Sequence, residues 1–455
     1  MAARVVLTRW AGGRCNNRPV LFDLRAVAAA CGGSTTEPDV AVVGAGIDSR
    51  NLEAGALFVA VVAERDGHDF IDAAKDRGAS AALVNAGDGS RAWPLPTVAV
   101  ADTTRALADL GRRARKDLNG PVIGITGSVG KTTTKDLCGS ILSLRGPCAI
   151  SARSFNNELG VPLTLINAPQ DAVASVIEMG ARGEGHIHML CEIARPTIGV
   201  VTNVVGAHLE MFGSIEAIAE AKGELVQSLD AAGHAVLNAE VPAVWGMRAR
   251  TAAEVIGFGK GGEVRAKNVV VDDELRASFV LRTPWGDAAV ALGVAGRHNV
   301  SNALAAAAAA LVAGASLDEV VAGLTAPAMS PMRMTLHQLA GGARVLDDSY
   351  NANPTSMSAA LDALCTMDAT RRVAVLGVMA ELGDDEHEAH VEIARQATAA
   401  GVHVVAVGTD LYGTEPVAVG DVAARLGRLG AGDAVLVKGS RVAALERVVA
   451  SLLAD

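Results

Sequence analysis

Gly124-Ile125-Thr126-Gly127-Ser128-Val129-Gly130-Lys131-Thr132-Thr133-Thr134 is the stretch on which the reading of this chain turns. The apolar run Pro121-Val122-Ile123 ahead of it reads as a buried strand, and KTTTKDLCGSILSL, from Lys131 to Leu144, has helical spacing. Strand, glycine-rich turn, Lys-Thr and helix form an arrangement that holds a nucleoside triphosphate. Backbone N–H groups and the helix N-terminus face the anion, the lysine reaches the β- and γ-phosphates, and a hydroxyl binds Mg²⁺. Ile125 stands where the usual pattern has its first glycine, leaving Gly127 and Gly130 as the hinges. Gly127, Ser128, Val129, Gly130, Lys131, Thr132 and Thr133 are the candidate phosphate contacts; an ordinary strand-to-helix turn is the alternative.

Outward from that loop, composition narrows the class. The chain has 455 residues, enough for roughly three domains. It is 50% hydrophobic, 3% aromatic and carries 49 glycines, which suits tightly packed α/β layers of Ala, Val and Leu. A net charge of -10 argues against a nucleic-acid partner, which usually calls for a basic face. Six scattered cysteines with no CxxC or metal-ligand spacing fit a reduced, cytoplasmic chain. No apolar run is long enough to span a bilayer, and the N-terminus lacks the pattern of a signal peptide. Residues 1–20 show little pattern and read as an extension. The alanine-rich stretch Ala303 to Ala315 reads as a helix packed closely on a sheet.

Three regions follow, at 1–117, 118–327 and 328–455. In the first, Phe22 to Gly33 reads as an amphipathic helix stopped by glycines. Asp48-Ser49-Arg50 and Asp66-Gly67-His68 fall at strand-to-loop transitions, where α/β domains bind ligands, although turn chemistry accounts for the same residues. In the second, strands alternate with helices, which argues for a parallel sheet. Polar residues gather at the strand ends: Asn156 and Asn157, Glu178 closing ASVIE, His208 after TIGVVTNV, then Lys222 on a helix. A hydroxyl, a carboxylate and an imidazole beyond one phosphate loop make a candidate Mg²⁺ site. Singly, each reads as readily as a strand-end cap, a satisfied histidine or helix surface. Gly296 to Asn302 offers amides suited to a purine edge. The third region resembles a small doubly wound domain without a GxGxxG signature. Glu381 to His390 superficially resembles a metal cluster, but its acids fit the start of a helix.

Together these motifs resemble the Mur ligases, the ATP-dependent amide-forming enzymes of peptidoglycan synthesis. The resemblance rests on the phosphate loop, Glu178, the His208 segment, Lys222 and Gly296-Arg297-His298-Asn299, in that order. Phe155 to Pro162 (FNNELGVP), Asp347 to Pro354 (DDSYNANP) and Lys438-Gly439-Ser440-Arg441 resemble the branch that adds D-alanyl-D-alanine to a UDP-N-acetylmuramoyl tripeptide. Val378 departs from the family's usual aspartate.

The resemblance implies three α/β domains: a UDP-substrate domain, a central ATP-binding domain and a Rossmann-like C-terminal domain. It implies phosphorylation of the tripeptide carboxylate by ATP and attack on the acyl phosphate by the dipeptide amine, in a cytoplasmic monomer. Catalysis would fall to Lys131, Glu178, His208 and Lys222. Thr132 and Glu178 would hold one Mg²⁺, and His208 with a CO₂-carbamylated Lys222 a second. Asn299 and Arg333 are expected near the ATP base and ribose, with Asp348 closing on that site. Ser49 and Arg50 resemble uridine-nucleotide contacts, while Asn156, Asn157, Asn351, Asn353 and His390 are expected on the substrate side. The alternatives are a ligase of the same fold with another acceptor, such as one extending folate, and a nucleotide-hydrolysing switch.

Overall fold

A computed structural model describes residues 21–87, 92–152, 155–206 and 209–454. Its central element is the strand Val122–Thr126, wholly buried, as expected for a Val/Ile-rich strand covered on both faces. It lies inside a six-stranded parallel sheet ordered Glu254–Phe258, His234–Asn238, Ile198–Val201, Val122–Thr126, Ala174–Glu178 and Cys148–Ile150. Ligand sites in such sheets form beyond the carboxyl ends of the strands. The phosphate loop and Glu178 both lie at that edge.

The first region pairs Leu21–Asp23 with Ala41–Val43 in an antiparallel ribbon and builds a four-stranded parallel sheet from Ala45–Gly46, Leu57–Val59, Ala81–Asn85 and Thr97–Val100. Its first helix is shorter than expected, Leu24–Cys31. Asp23 caps the N-terminus by accepting from the Ala26 N–H at 2.7 Å, so Phe22 stays in the ribbon, and Gly32 ends the helix at φ 62°. The helix Thr103–Arg115 packs on Gly160–Ile166, and the two regions share one apolar core through Leu107, Leu110, Val161 and Ile193.

One feature of the central region departs from the simple alternation of strand and helix. Arg265–Val271, Arg276–Thr283 and Gly286–Ala295 form a separate three-stranded antiparallel sheet. The alanine-rich helix Asn299–Val312 packs on the central sheet, as expected, against Ile198–Val201, His234–Asn238 and Glu254–Phe258, and also closely on the phosphate-loop helix Lys131–Leu142. Alanine side chains let two helices approach closely, and the side chains from Ala303 to Ala310 are buried.

The third region is a five-stranded sheet ordered Thr335–Gln338, Arg344–Asp347, Asp433–Lys438, Arg371–Leu376 and His403–Ala406. Four strands are parallel, as a doubly wound domain requires; the Thr335–Gln338 edge strand is antiparallel. The segment leading into this region is fastened to the phosphate-loop helix. The Ala328 N–H donates to Ser140 Oγ at 2.9 Å and the Ser330 N–H to Asp136 Oδ2 at 2.8 Å. Asp136 is buried beside Lys135 at 3.1 Å, and Lys135 Nζ donates to the Ser151 carbonyl at 2.8 Å. No helix among the described residues is long and apolar enough to cross a membrane.

Candidate functional site

A cleft of about 830 Å³ opens where the three regions meet. The phosphate loop forms its floor, and glycine is obligatory at two positions there. Gly127 has φ 149° and Gly130 φ 83°. A Cβ on the first would collide with Thr202 Oγ1 and on the second with Asn302 Oδ1. Thr202 Oγ1 donates to the Val129 carbonyl at 2.6 Å, and Ser128 Oγ to the Val205 carbonyl at 2.9 Å, fixing the loop.

Lys131 opens the helix, its Nζ donating to the carbonyls of Gly127 at 2.6 Å and Ser128 at 3.3 Å. Burial lowers its pKa; Glu178 opposes that shift and Arg333 adds to it. Thr132 Oγ1 donates to Glu178 Oε2 at 2.9 Å, bringing together the hydroxyl and the carboxylate expected to hold a cation. Asn156, expected to contact substrate, lines the cleft and donates to Glu178 Oε1 at 2.8 Å, and Ser151 Oγ accepts from the Glu178 N–H at 3.1 Å. Glu178 is thereby aimed from two sides. Thr133 and Asn157 also line the cleft, and Asn157 Oδ1 caps the Leu159 and Gly160 N–H groups.

Lys222 is 3% exposed on the helix Ile215–Gln227. Its Nζ lies 5.8 Å from the centroid of the Phe212 ring. Burial, reinforced by the Lys131 charge, lowers its pKa to about 7. His208 lies outside the described residues.

The third region supplies the opposite wall. Arg333, expected near the base and ribose, reaches the phosphate loop. Its Nη2 donates to Thr132 Oγ1 at 3.1 Å, and its guanidinium stacks 4.1 Å over the Tyr350 ring. Asp348 Oδ1 accepts from the Met334 N–H at 3.2 Å, and Oδ2 accepts from Lys438 Nζ, which also donates to the Asn351 carbonyl at 2.9 Å. Asn299 lines the cleft with its amide engaged, donating to the Ala295 carbonyl and accepting from Asn302, each at 2.7 Å. Asn351 and Asn353 line it too, and Asn353 Oδ1 also caps the helix Pro354–Thr366 by accepting from the Ser356 N–H at 2.9 Å.

One expectation is corrected by burial. His390 does not face the cleft. It is fully buried, its Nε2 accepts from the Met379 N–H at 2.9 Å, and its Nδ1–H donates to the Glu386 carbonyl at 2.6 Å. With both nitrogens used and Tyr412 against the ring at 4.9 Å, burial lowers its pKa and it organises the loop after Leu376. Ser49 and Arg50 sit on a short turn outside the cleft wall, which the first region enters through Ile47. Ser49 is buried, and Arg50 is clamped to Asp48 at 2.8 and 2.9 Å. His68 is likewise a satisfied turn histidine, close to Asp66 and accepting from the Asn85 N–H at 2.9 Å. No cluster of His, Cys, Asp and Glu among the described residues, the Glu381 segment included, has the makings of a metal site of its own.

Several contributors escaped the sequence reading. Lys438 belongs to a quoted motif, but its role depends on Asp348, far away in the chain. Thr202 and Tyr350 act through the neighbours just described, and Asn302, part of a stretch picked for its amides, crowds Gly130 and holds Asn299.

Comparison with known proteins bears on the whole length. Residues 41–115 match the Mur ligase family catalytic domain, 125–310 the Mur ligase middle domain, and 332–454 the Mur ligase glutamate ligase domain. The chain is 41% identical to the UDP-N-acetylmuramoyl-tripeptide–D-alanyl-D-alanine ligase of Mycobacterium tuberculosis, over 90% of this chain and 91% of that protein. It superposes on the UDP-N-acetylmuramoylalanyl-D-glutamyl-2,6-diaminopimelate–D-alanyl-D-alanyl ligase of Acinetobacter baumannii with a TM-score of 0.83 and 32% identity, covering 96% and 99% of the two chains. The MurF ligase of Thermotoga maritima in complex with ADP gives a TM-score of 0.79 at 29% identity, covering 90% and 97%. Matched in each of its three regions and along most of its length, the chain belongs to the Mur ligase family, in its MurF branch.

Proposed function

We propose that this ATP-dependent ligase joins the amine of D-alanyl-D-alanine to the terminal carboxylate of a UDP-N-acetylmuramoyl tripeptide, through an acyl phosphate, with release of ADP and phosphate. One observation carries the reading: a phosphate loop, a buried carboxylate and a third-domain arginine converge at Thr132, in a chain similar throughout to ligases so named. By the same analogy the donor's third residue is 2,6-diaminopimelate.

Joining the two substrates requires an anionic carboxylate to approach an anionic phosphate. Lys131, held at the helix N-terminus, supplies fixed positive charge at that point, and the loop N–H groups supply oriented donors. Thr132 Oγ1 and Glu178 Oε2, side by side and buried, are oxygen donors of the kind a hard cation takes, and fit one Mg²⁺. Lys222 with His208 would hold a second Mg²⁺. When bound, the two ions neutralise charge between phosphate and carboxylate.

An ammonium cannot ligate a metal. A lysine titrating at about 7 is substantially neutral at physiological pH, and the neutral amine adds CO₂ to give a carbamate and one proton. That supports the carbamylated state of Lys222. Residues 1–117 would take the uridine nucleotide near Ser49 and Arg50, 118–327 the ATP, and 328–455 the dipeptide near Asn351 and Asn353. Walls from three domains would exclude water from the acyl phosphate, which otherwise hydrolyses. One chain furnishes the whole cleft, which supports action as a monomer, in the cytoplasm where the nucleotide substrates are available.

A coupled ADP assay tests the reading, with tripeptide and dipeptide each omitted in turn. ADP formed only with both present is the expected result. ADP formed with neither would mark a nucleotide-hydrolysing switch.

A further inference from the structure

Arg182 lines the same cleft as Glu178 and Asn156, yet the phosphate chemistry has no use for it. It lies four residues beyond Glu178, on the turn between the strand Ala174–Glu178 and the helix His186–Ala194. The turn is fastened at both ends. The Gly180 N–H donates to the Asn156 carbonyl at 2.8 Å, while the Gly185 and His188 N–H groups donate to the two oxygens of buried Glu224 at 2.6 and 2.8 Å. Glu224 stands two residues from Lys222, so this turn keeps its place relative to the metal-side helix.

Within the turn, the Arg182 N–H donates to His186 Nδ1 at 3.1 Å. Nδ1 is therefore the acceptor, and the ring proton sits on Nε2, 3.2 Å from Glu158 Oε2. The other Glu158 oxygen stands 3.7 Å from Arg182 Nη1, too long for a hydrogen bond. Glu158 steadies the guanidinium electrostatically from behind without consuming its donors. The side chain remains 66% exposed, at the cleft wall. A guanidinium so presented is shaped for bidentate pairing with a carboxylate.

We infer that Arg182, backed by Glu158 and His186, binds the distal carboxylate of a diaminopimelate at the donor's third position, and so selects a diaminopimelyl over a lysyl donor. The inference rests on the ligase function proposed above. The donor has two non-reacting carboxylates, one on the D-glutamyl residue and one at the far end of diaminopimelate. The third residue carries the reacting carboxylate, which must sit against the phosphate beside Glu178. Its own side chain is thus the part of the peptide nearest Arg182, with the glutamyl carboxylate one residue further back. Lysine has the same amine and lacks that carboxylate.

The test is steady-state kinetics of the full chain with diaminopimelyl and lysyl tripeptides, for wild type, Arg182→Gln and Arg182→Lys. A charged hydrogen-bonded pair is worth enough that Arg182→Gln should raise KM for the diaminopimelyl donor by ~10-fold or more. Its kcat, the KM for ATP and the KM for the lysyl donor should stay within about twofold of wild type, and Arg182→Lys should recover part of the loss, since it restores charge without the fork. An equal rise in KM for both donors would place Arg182 on the glutamyl carboxylate and overturn the inference. Unchanged KM values would remove it from substrate binding, and a fall in kcat with both donors would assign it a purely structural role. A wild-type chain that turns over neither tripeptide would overturn the ligase reading itself, and this inference with it.

Discussion

Arg333 donates to Thr132 Oγ1 at 3.1 Å, joining the segment that enters the third domain to the hydroxyl expected to hold a metal ion. That hydroxyl donates onward to Glu178, so removing the guanidinium disturbs nucleotide and metal binding together. Arg333→Ala should raise KM for ATP by ~10-fold, the equivalent of one charge-assisted hydrogen bond. Arg333→Lys should recover little of it, because stacking on Tyr350 needs a planar group. Initial rates at varied ATP decide this.

Gly130→Ala should abolish nucleotide binding while leaving the fold intact. Two penalties act there: collision of the new Cβ with Asn302 Oδ1, and a φ of 83°, which costs ~1–2 kcal/mol for a residue with a side chain. Adding Asn302→Ala removes the first penalty alone. The double variant should regain weak binding of a fluorescent ATP analogue, well short of wild type.

Lys222 gives a pH signature with a definite sign. Its folded pKa of about 7 lies below the value of ~10.4 for a free lysine, so between them the unfolded chain binds more protons. Stability through this group therefore rises with pH from about 7 towards 10. Urea denaturation in CO₂-free buffer at pH 7 and pH 9 should show a larger gain for wild type than for Lys222→Met. Activity lost on stripping CO₂ should return with bicarbonate in wild type, and Lys222→Ala should stay inactive under both conditions.

His390→Ala should lower stability by ~2–3 kcal/mol, because the Met379 N–H and the Glu386 carbonyl both lose a buried partner. The dipeptide KM of the folded fraction should change little. Guanidinium melts paired with dipeptide kinetics separate this from a direct substrate role, which would move KM and spare stability.

The phosphate loop was legible because its chemistry is local: Gly127, Gly130, Lys131 and Thr132 do their work within one turn of chain. Glu178 was legible as a strand-end carboxylate, but its alignment by Asn156 was not, since the two belong to different elements. His390 misled, and Asn353 has a local use as well, for a common reason. An imidazole or an amide near a helix start is as good a partner for local backbone as for a ligand, and only burial separates the two uses. Lys438 was quoted without a role because its meaning lies in Asp348, just past the end of a neighbouring strand but far off in sequence. The antiparallel sheet 265–295 was missed because the expectation of a parallel sheet was carried through a stretch that alternates differently.

The fastening of Ala328 and Ser330 to the phosphate-loop helix sets the geometry of any movement of the third domain. With those two residues held, any swing of the third domain would pivot near them, like a door on its post. Arg333, three residues from the post, would sweep a short arc, whereas Val442, 76% exposed on the cleft lining, would sweep a longer one. Doorway and lock would thus be separated: such a swing would open the rim to a bulky peptide while moving the arginine little from the phosphate loop.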